Sequence, residues 1–243
     1  MNAIITGSNR GIGLETLRLF AENGYNIWAC ARKESDEFTE VLNQIRQKNP
    51  SIWIEEVYFD LLDEESVKAG IKKILLEKKS IDVLVNMAGI AHYGLFQMAS
   101  SSVMHEVMQV NYFSAMILCQ NVLKAMSKNG GGCIINVASV AAMDSHQGDS
   151  IYGASKAALC QSSRVMAAEN GKNGIRVNII APGPTDTDMI ALHRDKIGDA
   201  IVQNCSMGRL GRKDEIAQVA LFLASEKAGF INGQIIRVDG GSL

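Results

Sequence analysis

Short, uninterrupted apolar runs alternate with longer amphipathic stretches along almost the whole chain, and this alternation limits the possible folds more than any other feature. Residues 3–5 read as a buried strand, and Ile12 to Asn23 as a helix with Leu14, Leu17, Phe20 and Ala21 at helical spacing. Gly24 supplies the stop. The same reading gives strands at 26–31, 52–59, 81–86, 133–138, 176–180 and 235–238. Helices are expected at 34–48, 63–78, 103–127, 151–170 and 214–225. Strands that are apolar throughout are buried on both faces, as in a parallel sheet covered by helices. Right-handed crossovers then favour an α/β, doubly wound parallel sheet of about seven strands with helices on both faces.

The 243 residues suffice for one large α/β domain, and no linker, repeat or low-complexity segment divides them. A single dinucleotide-binding and catalytic domain over 1–243 is therefore expected. Residues 184–207 have mixed polarity and weak periodicity, and read as a mobile segment over the substrate site. The chain is 47% hydrophobic and 21% charged, with a formal net charge of -2 and no long run of one sign. That balance leaves no footprint of a nucleic-acid or membrane-surface binder. No secretory leader is read at the start, and no apolar run reaches the ~18 residues of a membrane span. Five scattered cysteines without a C-x-x-C pair read as reduced core residues, which points to the cytoplasm. The four histidines show no H-x-x-x-H pair, so no metal site is expected.

Thr6-Gly7-Ser8-Asn9-Arg10-Gly11-Ile12-Gly13 stands where the first strand becomes the first helix. Glycines allow a tight turn and close approach to a pyrophosphate, and the helix N-terminus offers free N–H groups. Glycines also make ordinary turns, so the strand–turn–helix setting carries the nucleotide reading. An NAD site usually places an acid at the end of the second strand. This chain has Cys30, Ala31, Arg32 and Lys33 there, and no acid before Glu34. Arg32 and Arg10 suit a 2′-phosphate, which favours NADP(H), although both could equally be solvated surface residues. Tyr152 and Lys156 are four apart on a helix and share a face. An ammonium beside a phenol lowers its pKa, the expected tuning for proton transfer. Ser139 closes a strand, at the end where open α/β sheets carry ligands.

These residues, with T-G-x-x-x-G-I-G at 6–13, Asp60, Asn86-Met87-Ala88-Gly89, Asn111, Y-x-x-x-K at 152–156 and P-G-x-x-x-T at 182–187, resemble the short-chain dehydrogenase/reductase family in order and spacing. The resemblance runs from Thr6 to Gly241 and implies a Rossmann-like fold. It implies that Tyr152 is the general acid/base, that Ser139 steadies the substrate carbonyl, that Lys156 holds the nicotinamide ribose, and that Asn111 supports a relay water. It assigns Asp60 and Leu61 to the adenine side, and Asn86, Ala88 and Gly89 to the adenosine ribose. Pro182, Gly183, Thr185 and Thr187 fall beside the nicotinamide amide and phosphates. Met87 replaces the usual second Asn and is given no polar role.

Gly208 to Gly211 and the ending Gly233-Gln234…Val238-Asp239-Gly240-Gly241 look most like 3-oxoacyl-acyl-carrier-protein reductases. The expected activity is NADP(H)-dependent reduction of a carbonyl to an alcohol, with a 3-oxoacyl thioester among the substrates considered. Lys128-Asn129 and Lys172-Asn173 stand where such relatives present docking arginines for the acyl carrier protein. The alternatives are a sugar or polyol dehydrogenase of the same family, and a catalytically idle nucleotide-binding regulatory protein. A homotetramer or homodimer is expected, as in the family. The pocket is expected around 92–96, 141–147 and 189–193.

Overall fold

The computed structural model describes residues 1–191, 202 and 205–241. Seven parallel strands form one sheet in the order β3-β2-β1-β4-β5-β6-β7. They are β1 (Asn2–Thr6), β2 (Asn26–Ala31), β3 (Ile54–Tyr58), β4 (Val83–Asn86), β5 (Gly132–Val137), β6 (Ile175–Pro182) and β7 (Ile235–Val238). The helices are α1 (Gly11–Glu22), α2 (Asp36–Lys48), α3 (Glu64–Leu76), α4 (Ser101–Met108), α5 (Ser114–Lys128), α6 (Ser150–Asn170), α7 (Asp188–Ala191) and α8 (Lys213–Ala224). Of the segment 184–207 expected to be mobile, residues 184–191, 202 and 205–207 fall within this description; 192–201 and 203–204 lie outside the described residues, as do 192–193 of the expected pocket.

Side-chain alternation along the strands divides the core in two. Ala3, Ile5, Ile27, Ala29, Ile135 and Val137 face α1, α2 and α8, where Leu17, Phe20, Leu42, Ile216 and Leu223 meet them. Ile4, Trp28, Ile134 and Val177 face the other way, onto Val67, Ile71 and Ile74 of α3 and Leu118, Val122 and Met126 of α5. A period of two on a sheet buried on both sides is why the strands read as continuous apolar runs. Met87 packs against the α1/α8 side of the core, which accounts for an apolar residue at that position.

From β1 the chain winds outward to β2 and β3, then returns to place β4 on the other side of β1. The strand order reverses between β1 and β4, and the crevice at their carboxyl ends is where such sheets bind ligands. Thr6 pins this point. Its Oγ1 accepts from the Met87 N–H at 3.0 Å and the Ala88 N–H at 3.1 Å.

The single helix expected over 103–127 is two helices joined by a π-helical turn, Gln109–Phe113. The Ser114 hydroxyl bonds back to the Gln109 carbonyl, and lies 3.2 Å from the Val110 oxygen and 3.1 Å from the Leu61 oxygen. A hydroxyl inserted among backbone carbonyls loosens the i→i−4 ladder while apolar spacing continues, so periodicity alone does not reveal the break. Asn111 lies in that turn.

Candidate active site

The glycine loop is shaped by close backbone contacts. A Cβ on Gly7 would meet the Ala88 Cα at 3.0 Å, and Gly7 itself has φ +66°. A Cβ on Gly13 would fall 2.1 Å from the Gly7 oxygen. Ser8 latches the loop to the end of β2, its N–H and Oγ both donating to the Cys30 oxygen at 3.1 and 3.0 Å. The N-cap of α1 is Arg10, which makes no side-chain capping bond, and the first turn holds no acid. The first N–H groups of α1 are thus left for an anion, at the positive end of the helix dipole. A dinucleotide pyrophosphate fits this cradle.

The other expected cofactor residues divide by what they present. Arg10 and Arg32 are exposed, and among the described residues neither has an ion-pair partner. Thr6, Ser8 and Asn86 turn their side chains inward, so each offers a ligand only backbone. Asn86 is buried and donates to the Asn136 Oδ1 at 2.8 Å, within the sheet rather than toward a ribose. Asp60 accepts from the Leu62 N–H at 3.0 Å, while Asp63 is the residue that caps α3. The Leu61 carbonyl is tied to the π turn, where Gln109 donates to it at 3.2 Å. Thr187 reaches the glycine loop: its Cγ2 would lie 4.0 Å from a Cβ on Gly11. Thr185 pairs with Gly211 through its neighbours, Gly211 N to Pro184 O at 2.9 Å and Asp186 N to Gly211 O at 2.9 Å. That pattern points the Thr185 N–H away from Gly211, free among the described residues for a carboxamide oxygen.

The four expected catalytic residues meet at the carboxyl ends of β4 and β5. Asn111 bonds both ways to Ile90: Oδ1 accepts from the Ile90 N–H and Nδ2 donates to the Ile90 oxygen, each at 2.9 Å. Its second amide hydrogen goes to the Ser155 Oγ at 3.0 Å. Both amide hydrogens are used, and the side chain ties the π turn to the loop after β4. Ser155 was not legible in the sequence as part of this set. A serine three past a tyrosine resembles any small helical residue.

Gly89 is where the backbone passes between Asn111 and Lys156. A Cβ there would lie 3.1 Å from the Asn111 Oδ1 and 3.2 Å from the Lys156 Nζ. Lys156 is buried and donates to the Val137 oxygen at 2.9 Å. Burial lowers its pKa to about 8. Tyr152 is buried one helical turn away, its ring centroid 5.9 Å from the Lys156 Nζ and 6.3 Å from the Tyr93 ring. The expected lowering of the phenol by the ammonium is not what the structure gives. Burial pushes Tyr152 up to about 12; the Ser139 hydroxyl, hydrogen-bonded to it, opposes the rise, and Asp149 adds to it. Lys156 spends its hydrogen bond on Val137 rather than on the phenol. Ser139 also caps the 3₁₀ turn Val140–Ala142, accepting from the Ala141 N–H at 3.2 Å.

A family model described as enoyl-(acyl carrier protein) reductase matches residues 7–242. A solved structure described as a short chain dehydrogenase/reductase family protein superposes with a TM-score of 0.86 at 33% identity, over 99% of this chain and 96% of that one. This chain belongs to the short-chain dehydrogenase/reductase family. Among other members, it is 35% identical to the 3-oxoacyl-(acyl-carrier-protein) reductase of Chlamydia trachomatis serovar D, over 98% of this chain and 96% of the relative. The gluconate 5-dehydrogenase of Burkholderia cenocepacia J2315, solved in complex with NADP and tartrate, is 32% identical with a TM-score of 0.89, covering 99% and 94% of the two chains. Among the described residues of this short-chain dehydrogenase/reductase, no group of three His, Cys, Asp or Glu side chains stands close enough to hold a metal ion. No helix among them is long and apolar enough to cross a membrane.

Proposed function

We propose that this enzyme reduces a carbonyl to an alcohol with NADPH, and that Tyr152 delivers the proton. The observation that carries the reading is the convergence of Tyr152, Ser139, Lys156 and Asn111 at one end of the sheet, beside an uncapped helix N-terminus and a glycine cradle. The bound cofactor supplies the hydride. Ser139 donates a hydrogen bond to the carbonyl oxygen and holds it toward Tyr152. Tyr152, a neutral phenol at physiological pH, gives its proton to that oxygen as charge builds there. Lys156 offers its remaining N–H groups, at the Gly89 backbone, to the hydroxyls of the nicotinamide ribose. Asn111 fixes the π turn and the Ile90 backbone around a relay that reprotonates Tyr152. Arg10 and Arg32 pair with the 2′-phosphate, and the Thr185 N–H with the carboxamide.

The rim of the site favours an apolar substrate. The Gly94 N–H donates to the Gly148 oxygen at 3.1 Å, which joins the loop after β4 to the loop after β5. On those two loops Leu95, Phe96, Met98 and Met143 are exposed. An acyl chain would cover them, whereas a sugar would leave them wet. The 3-oxoacyl reading follows from this rim together with the carrier-protein reductase relative. The polyol reading is supported by the gluconate 5-dehydrogenase likeness and by Asp149, a half-buried carboxyl near Tyr152 and Tyr93 that could accept from substrate hydroxyls.

Carrier docking does not follow from one copy of the chain. Lys128 and Lys172 are exposed but precede β5 and β6, at the opposite end of the sheet from Tyr152. The eight residues of β6 alone span roughly 26 Å. A carrier bound at both lysines would therefore serve the pocket of another subunit. An NADPH-oxidation screen across acyl thioesters, free and on carrier protein, sugars and simple ketones tests the reading. Turnover is expected with 3-oxoacyl thioesters. Preferred oxidation of a polyol would favour the second reading, and NADPH binding without turnover on the whole panel would overturn both.

A further inference from the structure

Arg237 lies on β7, the edge strand, opposite Ala181 of β6. Its guanidinium grips a carboxylate 93 residues away in sequence. Nη1 donates to the Asp144 Oδ1 at 2.8 Å and Nη2 to the Asp144 Oδ2 at 2.7 Å. Its Nε donates to the Asp239 Oδ2 at 2.7 Å. One planar fork thus holds two carboxylates from two different loops, a geometry that a lysine's point charge cannot reproduce.

Both carboxylates sit on segments that border the reaction. Asp144 is five residues past Ser139, and its N–H donates to the Val140 oxygen at 2.9 Å, so it ends the turn that Ser139 begins. The other side of that turn rests on α6: a Cβ on Gly153 would fall 2.5 Å from the Ala141 oxygen. The Ser139 turn is therefore held between the helix that carries Tyr152 and the Arg237 fork. Asp239 rests on Gly183, where a Cβ would come within 2.6 Å of the Asp239 Cβ. Gly183 opens the segment that leads to Thr185 and Thr187. Through Asp239 the same guanidinium ties the substrate-side loop to the cofactor-side loop.

An isolated exposed ion pair contributes little. This one is bidentate and has a third bond; Arg237 is exposed on the edge strand, while the Asp144 and Asp239 side chains keep only 23% and 10% of their surface accessible. Its partners hold Asp144 below the usual carboxylate range, Arg237 first and His146 after it.

We propose that Arg237 is a positioning residue for the reaction: by gripping Asp144 and Asp239 it fixes the Ser139 hydroxyl relative to Tyr152 and to the cofactor-side loop. The proposal rests on the reading of Ser139 as the hydroxyl that holds the substrate carbonyl. Specificity for a carbonyl then depends on a side chain that touches neither substrate nor cofactor.

The test uses Arg237→Met, Arg237→Lys and Asp144→Asn in the full chain, with Tyr152→Phe alongside. Four quantities are read: kcat, KM for the carbonyl, NADPH affinity by fluorescence, and hydrogen exchange of residues 139–147. Arg237→Met is expected to lower kcat/KM for the carbonyl by about ten- to a hundredfold, the scale of a misplaced reacting group. NADPH affinity changes far less, exchange of 139–147 quickens, and Arg237→Lys recovers only part of the loss. Asp144→Asn gives the same pattern more weakly and serves if Arg237→Met does not fold. Wild-type kcat and KM with unchanged exchange at 139–147 in the folded variants overturn the proposal, as does a lowered melting temperature with unaltered kinetics. If Tyr152→Phe is inactive while the Arg237 variants behave as wild type, the clamp fails and the catalytic reading stands. If Tyr152→Phe is fully active, the catalytic reading fails, and the exchange data still report whether Arg237 holds the loop.

Discussion

Lys156 donates to the Val137 carbonyl oxygen at 2.9 Å, deep in the protein, and no carboxylate among the described residues is paired with its charge. Burial is the leading cause of its lowered pKa, about 8, against roughly 10.4 in an unfolded chain. Between those values the unfolded chain binds more protons, so this group makes stability rise with pH, and its full penalty is felt below about 8. Lys156→Met removes the charge at similar volume. The variant should be more stable than wild type at pH 7 by up to roughly 3 kcal/mol, less about 1 kcal/mol for the unpaired Val137 oxygen. The gap should close by pH 10. Buried thiols at Cys30, Cys119 and Cys133 titrate alike in both proteins and cancel in the difference; Cys160, whose thiol the Lys156 charge lowers, is replaced by Ala in both. Denaturant unfolding of cofactor-free enzyme at pH 7 and pH 10 measures it, and a wild type that is more stable by the same margin at both would refute it. The variant should be inactive all the same.

The sheet was legible where its strands are buried on both faces: 26–31 has the bounds that its apolar run implies. The edge strand 235–238 has its expected bounds as well, although none of its residues is buried. The 103–127 helix was misread because the Ser114 hydroxyl breaks the ladder without disturbing the apolar spacing. Tyr152 and Lys156 were legible as a pair four apart. Their electrostatics were not, because the Val137 carbonyl that takes the Lys156 hydrogen bond is backbone from another strand. Asn86 and Thr6 stand at strand ends like ligand residues, yet their side chains turn inward: Thr6 accepts from the Met87 and Ala88 N–H groups across the switch point, and Asn86 donates to Asn136 on the neighbouring β5. The Asp144–Arg237 fork joins positions 93 apart, and no local pattern announces it.

Tyr152→Phe keeps a ring against Tyr93 and deletes only the hydroxyl. Turnover should fall at least ~10²-fold with NADPH binding little changed, the usual scale for loss of a general acid. With the phenol at about 12, Tyr152 remains protonated throughout the neutral range. Carbonyl reduction by wild type should therefore show no loss of rate between pH 6 and 8 that Tyr152→Phe abolishes. Steady-state rates across that range, with cofactor binding measured separately, check both statements. Near-normal turnover by a folded variant would remove Tyr152 from the mechanism.

Two glycines separate steric need from backbone need. Gly13 has no positive φ, but a Cβ there would lie 2.1 Å from one backbone atom of Gly7 and 2.7 Å from another. Gly130 has φ +87° with nothing within 4 Å of a Cβ. Gly130→Ala should cost about 1–2 kcal/mol, the price of a left-handed L-residue. Gly13→Ala should cost about 3 kcal/mol, the top of the usual overpacking range, and should also impair NADPH binding. Chemical denaturation and cofactor titration of the two variants decide it. Equal destabilisation with intact binding would mean that the loop is not tied to the cofactor cradle.

Cofactor choice depends on the join between the glycine loop and β2. Ser8 donates twice to the Cys30 oxygen, so Arg10, two residues past Ser8, and Arg32, two past Cys30, flank the same corner. Both are exposed, and neither has an ion-pair partner among the described residues. A 2′-phosphate there would gain charge-assisted hydrogen bonds of roughly 1.5–3 kcal/mol each, enough for a ten- to hundredfold preference. Arg32→Ala should thus lower kcat/KM for NADPH by that factor and leave NADH nearly unchanged. The single substitution is a cleaner test than adding an acid at Ala31, which is buried in the core beneath α1 and α2 and would take a carboxylate out of water. Raising the ionic strength should narrow the wild-type preference, because the corner is open to solvent. Side-by-side kinetics with both cofactors at low and high salt are the measurement. A wild type that favours NADH, or an Arg32→Ala enzyme that loses both cofactors equally, would show that this corner does not read the phosphate.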